Sequence, residues 1–223
     1  MIDLYTCATA NGQKASIILE ECGLAYKAHT VDLYAGEHRS PAFLAINPVG
    51  KVPAIVDAEV AGEPINIGES LAICYYAAEK TGKLLPERPA ERAAMHQWAS
   101  VAASGFGAAF SGLFWARHLA PEQPDWVAQR FIDEAERCFA AMNDRLGESE
   151  FLAGADYSIA DVLAYPVAAT SSKTLDAGIE PYANIHRRAP LVANIVRHRF
   201  RRHAGQERFR FHSHSPAGTA MPR

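Results

Sequence analysis

Residues 85–89 read Leu-Pro-Glu-Arg-Pro, and this pentapeptide constrains the fold more than any other stretch. Each proline lacks an N–H and crowds the residue before it, so neither a helix interior nor a central strand can run through the segment. The chain on either side of it has a different character. On the N-terminal side, residues 2–5 form a short apolar strand. Ala15, Ile18, Leu19 and Cys22 follow at i, i+3, i+4, i+7, a helix closed by Gly23. Residues 26–31 predict a second strand, 33–40 a polar loop and 40–44 a short helical turn. A strand opens at Pro53 with Ala54, Ile55 and Val56, and after one more strand Leu71, Cys74, Tyr75 and Ala78 mark a helix. The order is β-α-β, loop, β-β-α. On the C-terminal side every periodic segment is helical: 90–116, 124–146, and a helix opened by Ser158-Ile159-Ala160-Asp161, a capping-box pattern with a structural role. The expected organisation is a β/α domain over 1–83, a linker over 84–90, an all-α domain over 91–200 and a basic tail over 201–223.

Two features of the first domain point to a ligand. Proline within a sheet is confined to strand starts, edges and bulges, and it is the residue most able to hold a cis peptide. Val52 before Pro53 is therefore expected to turn its backbone outward, where an extended peptide could pair with it. Glu69-Ser70 stands at a helix start, where backbone N–H groups favour a carboxylate, and Glu69 adds a partner for an amine. A small peptide with a free carboxylate and a free amine suits both.

Asn47-Pro-Val-Gly-Lys-Val-Pro-Ala54, followed by Glu69-Ser70 ahead of an apolar helix, resembles the glutathione-binding half of the glutathione transferase superfamily. The two-part organisation extends that resemblance over residues 1–185. It implies an α/β thioredoxin-like N-terminal domain joined to an all-α C-terminal domain. The opening Met-Ile-Asp-Leu-Tyr with Thr9-x-Asn11-Gly12 resembles the bacterial Nu-class transferases, associated with glutathione transfer and with glutathione-dependent disulfide reduction. The implied function is a glutathione transferase that activates the glutathione thiol toward a small electrophile or a disulfide, acting as a homodimer. A non-catalytic binding protein of the same fold is the alternative. Glutathione is the expected substrate, and no metal is expected.

No tyrosine stands at the reactive turn, so the donors to a glutathione thiolate are Thr9 and Asn11, helped by the dipole of the helix that begins near Asn11. Read without the resemblance, the same two residues would simply cap that helix. Cys7 competes as a nucleophile, but it has no resolving cysteine nearby, and a buried structural cysteine is the commoner case. The expected glutathione contacts are Asn11, His38, Lys51, Val52, Pro53, Glu69 and Ser70, with His38 and Lys51 as partners for the glycine carboxylate. Phe106, Phe110, Phe114 and Trp115 recur at helical spacing, a pattern that serves core or subunit interface more often than a substrate pocket.

Cys7, Cys22, Cys74 and Cys138 are scattered, without metal-ligand spacing, which suits a reducing, cytoplasmic setting. The N-terminus has no basic, apolar signal pattern. Residues 98–116 carry no charge and are long enough to span a bilayer, but Ala, Gly and Ser dominate them and favour close helix packing, so no membrane role is expected. Residues 186–223 hold nine arginines against one acid, plus eight, while the first 185 residues hold 13 basic and 24 acidic side chains, minus eleven; the sum is the net charge of −3. A nucleic-acid role is not expected from a segment with so few interleaved aromatics, and a poorly packed end is.

Overall fold

The computed structural model describes residues 1–170 and 179–202, without the side chains of residue 191 and residues 194–202. Two compact units divide it, one built on Met1–Lys83 and the other on Leu84–Ile195.

The first unit holds the only sheet among the described residues, four strands in the order β2-β1-β3-β4. These are β1 (Ile2–Thr6), β2 (Tyr26–Thr30), β3 (Ala54–Asp57) and β4 (Ile65–Gly68). β1 runs parallel to β2 and antiparallel to β3, which runs antiparallel to β4. Along β1, Ile2, Leu4 and Thr6 are buried while Asp3 and Tyr5 are partly exposed, the period-2 alternation of a strand with two distinct faces. Tyr5 meets Phe43 of α2 (Pro41–Ile46) edge-on, and Phe43 packs with Val31 and Ala54. Helices α1 (Ala10–Cys22) and α3 (Ser70–Thr81) pack on each other through fully buried Ala15, Ile18, Ile73 and Ala77. Gly23 closes α1 in the left-handed conformation at φ 70°, where a side chain would be strained. Pro53 precedes β3 and its peptide bond with Val52 is cis.

The second unit contains no strand among the described residues. It holds α4 (Pro89–Ser100), α5 (Gly107–His118), α6 (Asp125–Glu148), α7 (Ile159–Thr170) and the part of α8 (Ala183–Arg202) up to Ile195. Pro89 sits in the first turn of α4, where its missing N–H costs nothing. The helix expected over 90–116 is interrupted by a π-helical turn, Val101–Phe106. There Gly105 admits the Cys138 thiol of α6 against its backbone; a Cβ at that position would lie 2.8 Å from Sγ. Gly112 of α5 likewise receives the Phe131 ring, which any Cβ would overlap. By length and composition the Pro89–His118 run could cross a membrane, but its small residues are spent on seating α6. Phe106 and Phe139 pack at 4.6 Å between ring centroids, with Phe110 and Tyr182 beside them, so this part of the aromatic series is core. Phe114 and Trp115 are exposed.

The end of the chain corrects one expectation. Residues 186–202 are the greater part of the helix α8, and its described side chains, which end at residue 193, are not poorly packed. Ile185 and Val192, seven apart, are both buried. Arg188 pairs with Glu150 at 2.8 Å, and the Asn184 side-chain amide donates to the Asn143 carbonyl at 3.0 Å. The arginine count masked an amphipathic helix. Residues 203–223 lie outside the described residues.

Candidate functional site

Strand register gathers most of the expected residues. β1 ends at Thr6, and antiparallel pairing places Ala54 opposite Tyr5, so Val52 and Pro53 enter the sheet beside the exit of β1 toward Cys7–Asn11. Ala54 in turn faces Gly68, so β4 delivers Glu69 and Ser70 next to Pro53. One end of the sheet thus carries Thr9, Asn11, Val52, Pro53, Glu69 and Ser70.

Thr9 is the N-cap of α1: its hydroxyl oxygen accepts from the Gly12 N–H at 3.1 Å. The Cys7 thiol also reaches that oxygen, at 3.9 Å. A hydroxyl has two acceptor positions and one hydrogen. Both acceptor positions are used within the turn, and the O–H of exposed Thr9 remains to donate. Capping and donation to a sulfur are therefore compatible rather than competing. Gly12 makes this turn possible, because any Cβ there would overlap the Cys7 carbonyl oxygen and crowd the Thr6 hydroxyl.

Burial raises the Cys7 pKa, and the hydrogen bond to Thr9 offsets that only in part. A thiol held protonated is a poor nucleophile, so the environment works against a direct role for Cys7. Asn11 is exposed, with its side-chain oxygen accepting from Lys14 Nζ at 2.9 Å.

Val52 has no backbone hydrogen-bond partner among the described residues, which leaves its N–H and C=O open for strand-like pairing. Its position is fixed by Asn47, a buried side chain that donates to the Lys51 carbonyl at 2.7 Å and accepts from the Val49 N–H at 3.2 Å. The Asn47 amide also packs flat on Gly68, where a Cβ would fall 2.7 Å away. The residue therefore ties the Val52 edge to the end of β4.

Glu69 lies in the positive-φ region (φ 66°, ψ 121°), a conformation uncommon for a side-chain-bearing residue and concentrated at ligand-binding positions. No side chain caps α3 at this residue, so the first N–H groups of the helix, Ser70 included, are open to an anion. Ser70 is buried and Glu69 exposed.

His38 lies in a 3₁₀ turn, Glu37–Arg39, whose backbone touches Gly50 of the loop ahead of Val52. Burial, then the charge of Arg39, lower its pKa, so it is a weaker cation for a carboxylate than the sequence suggests. Its Nδ1 is buried without a partner among the described residues. Lys51 is exposed.

The glutathione S-transferase N-terminal domain model matches residues 9–80. Disulfide-bond oxidoreductase YfcG of Escherichia coli K12 is 40% identical over 184 residues, covering 81% of this chain and 86% of that protein. The chain belongs to the glutathione transferase superfamily. A glutathione S-transferase domain-containing protein of Dictyostelium discoideum is 35% identical over 165 residues; that match covers 71% of this chain and 63% of the relative's length. Among solved structures, a glutathione transferase family member from Pseudomonas fluorescens Pf-5 with two glutathione bound superposes with a TM-score of 0.82 at 31% identity, covering 89% of this chain and 91% of its own. The thioredoxin-like sheet and helical second part are those of the superfamily. Sequence reasoning missed Asn47 as a brace and Lys14 altogether. The motif that begins at Asn47 carried a signal for the first, and nothing in the sequence signalled that Lys14 is buried.

Proposed function

We propose that this chain is a Nu-class-like glutathione transferase that activates the glutathione thiol with Thr9 and Asn11 and adds it to an electrophile or uses it to reduce a disulfide. The carrying observation is that a Thr9 hydroxyl with its acceptor positions filled, the unpaired backbone of Val52 and the uncapped start of α3 lie at one end of one sheet. Glutathione would lie with its cysteine backbone along Val52 and its γ-glutamyl carboxylate on the N–H groups of Ser70. Glu69 would meet the ammonium, and Lys51 and His38 would stand toward the glycine end. The sulfur would then face Thr9 and Asn11. A thiolate there attacks an electrophilic carbon directly. With a disulfide it displaces one thiolate, and a second glutathione resolves the mixed disulfide, releasing glutathione disulfide. The similarity to YfcG supports the disulfide branch, and the neighbour with two bound glutathione molecules supports room for a second. The reading extends to a homodimer in the cytoplasm, where glutathione is kept reduced.

Thr9→Val tests the chemistry because it removes the O–H while keeping the volume. Losing one hydrogen bond to a thiolate costs about 1.4 kcal/mol, so the pKa of bound glutathione should rise by about one unit and the rate at neutral pH should fall roughly tenfold. Cys7→Ser should change little. An obligatory glutathione adduct on Cys7, seen by mass spectrometry during turnover, would move the nucleophile from the substrate to the protein. An unchanged pH–rate profile in the Thr9 variant would remove Thr9 from the chemistry.

Gly68→Ala tests the geometry. A methyl group there displaces the Asn47 amide, frees the Lys51 carbonyl and loosens the Val52 edge, so glutathione affinity measured by calorimetry should drop roughly threefold to tenfold. Unchanged affinity would mean that the edge holds its position without Asn47.

A further inference from the structure

Lys14 is among the largest fully buried side chains of the described residues, 1% exposed. Lysine is almost never buried to this degree unless paired, because an ammonium loses its hydration. No carboxylate lies within ion-pair reach among the described residues, and the partner its Nζ has is the side-chain oxygen of Asn11, one turn earlier on α1, at 2.9 Å. Burial lowers its pKa to about 8, with Cys74 of α3 acting in the other direction, so it carries its proton at neutral pH. A methionine would pack in such a place without the desolvation cost. What the ammonium adds is direction.

An ammonium has three donors and no acceptor. An asparagine facing it must present the carbonyl oxygen, which leaves the NH₂ group of exposed Asn11 as the side of the amide free to donate at the start of α1, two residues after Thr9. Without the lysine the amide is free to turn over. Its oxygen would then face the sulfur and repel negative charge instead of stabilising it.

We propose that Lys14 is a positioning residue that fixes the Asn11 amide with its N–H side toward the glutathione sulfur. The proposal rests on the reading of Asn11 as a donor to that sulfur. It assigns the buried charge a purpose that helix packing does not require, and it acts through Asn11 rather than by touching the substrate.

The test is a cycle of Lys14→Met, Lys14→Gln, Asn11→Ala and the Lys14→Met/Asn11→Ala double variant. Each is read by calorimetry for glutathione, by titration of the bound thiolate's ultraviolet absorbance, and by kcat and KM. Lys14→Met should leave glutathione affinity within about twofold, raise the bound-thiol pKa by about half a unit and lower kcat at neutral pH roughly threefold. Lys14→Gln, which can donate to the Asn11 oxygen but can equally accept from its NH₂ group, should recover only part of that loss. In the Asn11→Ala background Lys14→Met should have no further effect. If the methionine effect persists in that background, or if glutamine, which leaves the Asn11 amide free to turn over, restores the parent pKa in full, the lysine does not fix the amide and the positioning role is overturned. If Asn11→Ala itself leaves the bound-thiol pKa unchanged, or the parent protein binds no glutathione, the underlying reading of the site fails first, a result distinct from either of those. An effect confined to melting temperature, with pKa and kcat unmoved, makes Lys14 purely structural and also overturns the role.

Discussion

Asp161→Ala should cost this protein about 3 kcal/mol or more of stability, measured by reversible denaturation near neutral pH. Asp161 is buried at the start of α7. Its carboxylate accepts from the Leu152 N–H at 3.0 Å, the Ser158 N–H at 3.0 Å and the Ser158 hydroxyl at 3.2 Å. In return the Ser158 hydroxyl accepts from the Ala160 N–H at 3.3 Å, completing a capping box. Alanine strands two buried backbone donors, each worth about 1–3 kcal/mol when left without a partner, and takes away the acceptor of the buried Ser158 hydroxyl as well. At about 2–4 °C per kcal/mol for a protein of this size, the melting temperature should fall by about 10 °C. Complete burial raises the Asp161 pKa from 3.8 to about 6, against the hydrogen bonds from Leu152 and Ser158 that pull it down. The folded pKa lies above the unfolded one, so this group's contribution is full below about pH 4 and declines as pH rises through 6. The gap between the parent and Asp161→Ala should therefore widen as pH is lowered from 6 to 4. A variant within about 1 kcal/mol of the parent, or a gap that narrows on acidification, would mean that the box does not organise α7.

This box was legible before any coordinates, because a Ser-x-x-Asp spacing ahead of an apolar run has one local geometry that satisfies the exposed donors of a helix start. The same holds for Gly23 after the apolar face of α1, for Pro53 at the mouth of β3, and for the proline pair that ends the sheet-bearing part. In each case a local chemical constraint on the backbone decides the structure. What was hidden depends on contacts between distant segments. Lys14 has no sequence mark of burial, since its partner is one turn away but the wall that removes its water comes from α3. The π-helical turn after Ser100 reflects the accommodation of Cys138 from α6 against Gly105, and helical periodicity does not encode it. The beginning of α8 was obscured by composition: its arginines suggested an unpacked tail, yet Arg187 reaches the Leu146 carbonyl and Arg188 reaches Glu150, neither visible from spacing within the segment. The site occupies an intermediate position. Its residues were readable from the motif, while the compatibility of capping and donation at Thr9 required knowing which lone pairs were already filled.

Glu69→Gln should weaken glutathione binding roughly tenfold to a hundredfold in calorimetry, the largest single loss expected of any contact residue at the site. The side chain keeps its size and one acceptor oxygen, so what disappears is the charge that an ammonium would meet. A charged hydrogen bond contributes about 1.5–3 kcal/mol where water is excluded, and a fully exposed ion pair only about 0.2–1 kcal/mol. Glu69 is exposed before the ligand arrives, but a bound peptide lying across Val52 and the start of α3 would cover it, which selects the larger range. Glu69→Gly separates charge from backbone. Position 69 has φ 66°, where glycine is less strained than a residue with a side chain, so that variant should fold at least as stably as Glu69→Gln while binding no better. If Glu69→Gln binds as the parent does, the ammonium end of glutathione lies elsewhere. If instead Glu69→Gly recovers affinity that Glu69→Gln has lost, then the backbone at this position governs binding and its carboxylate does not.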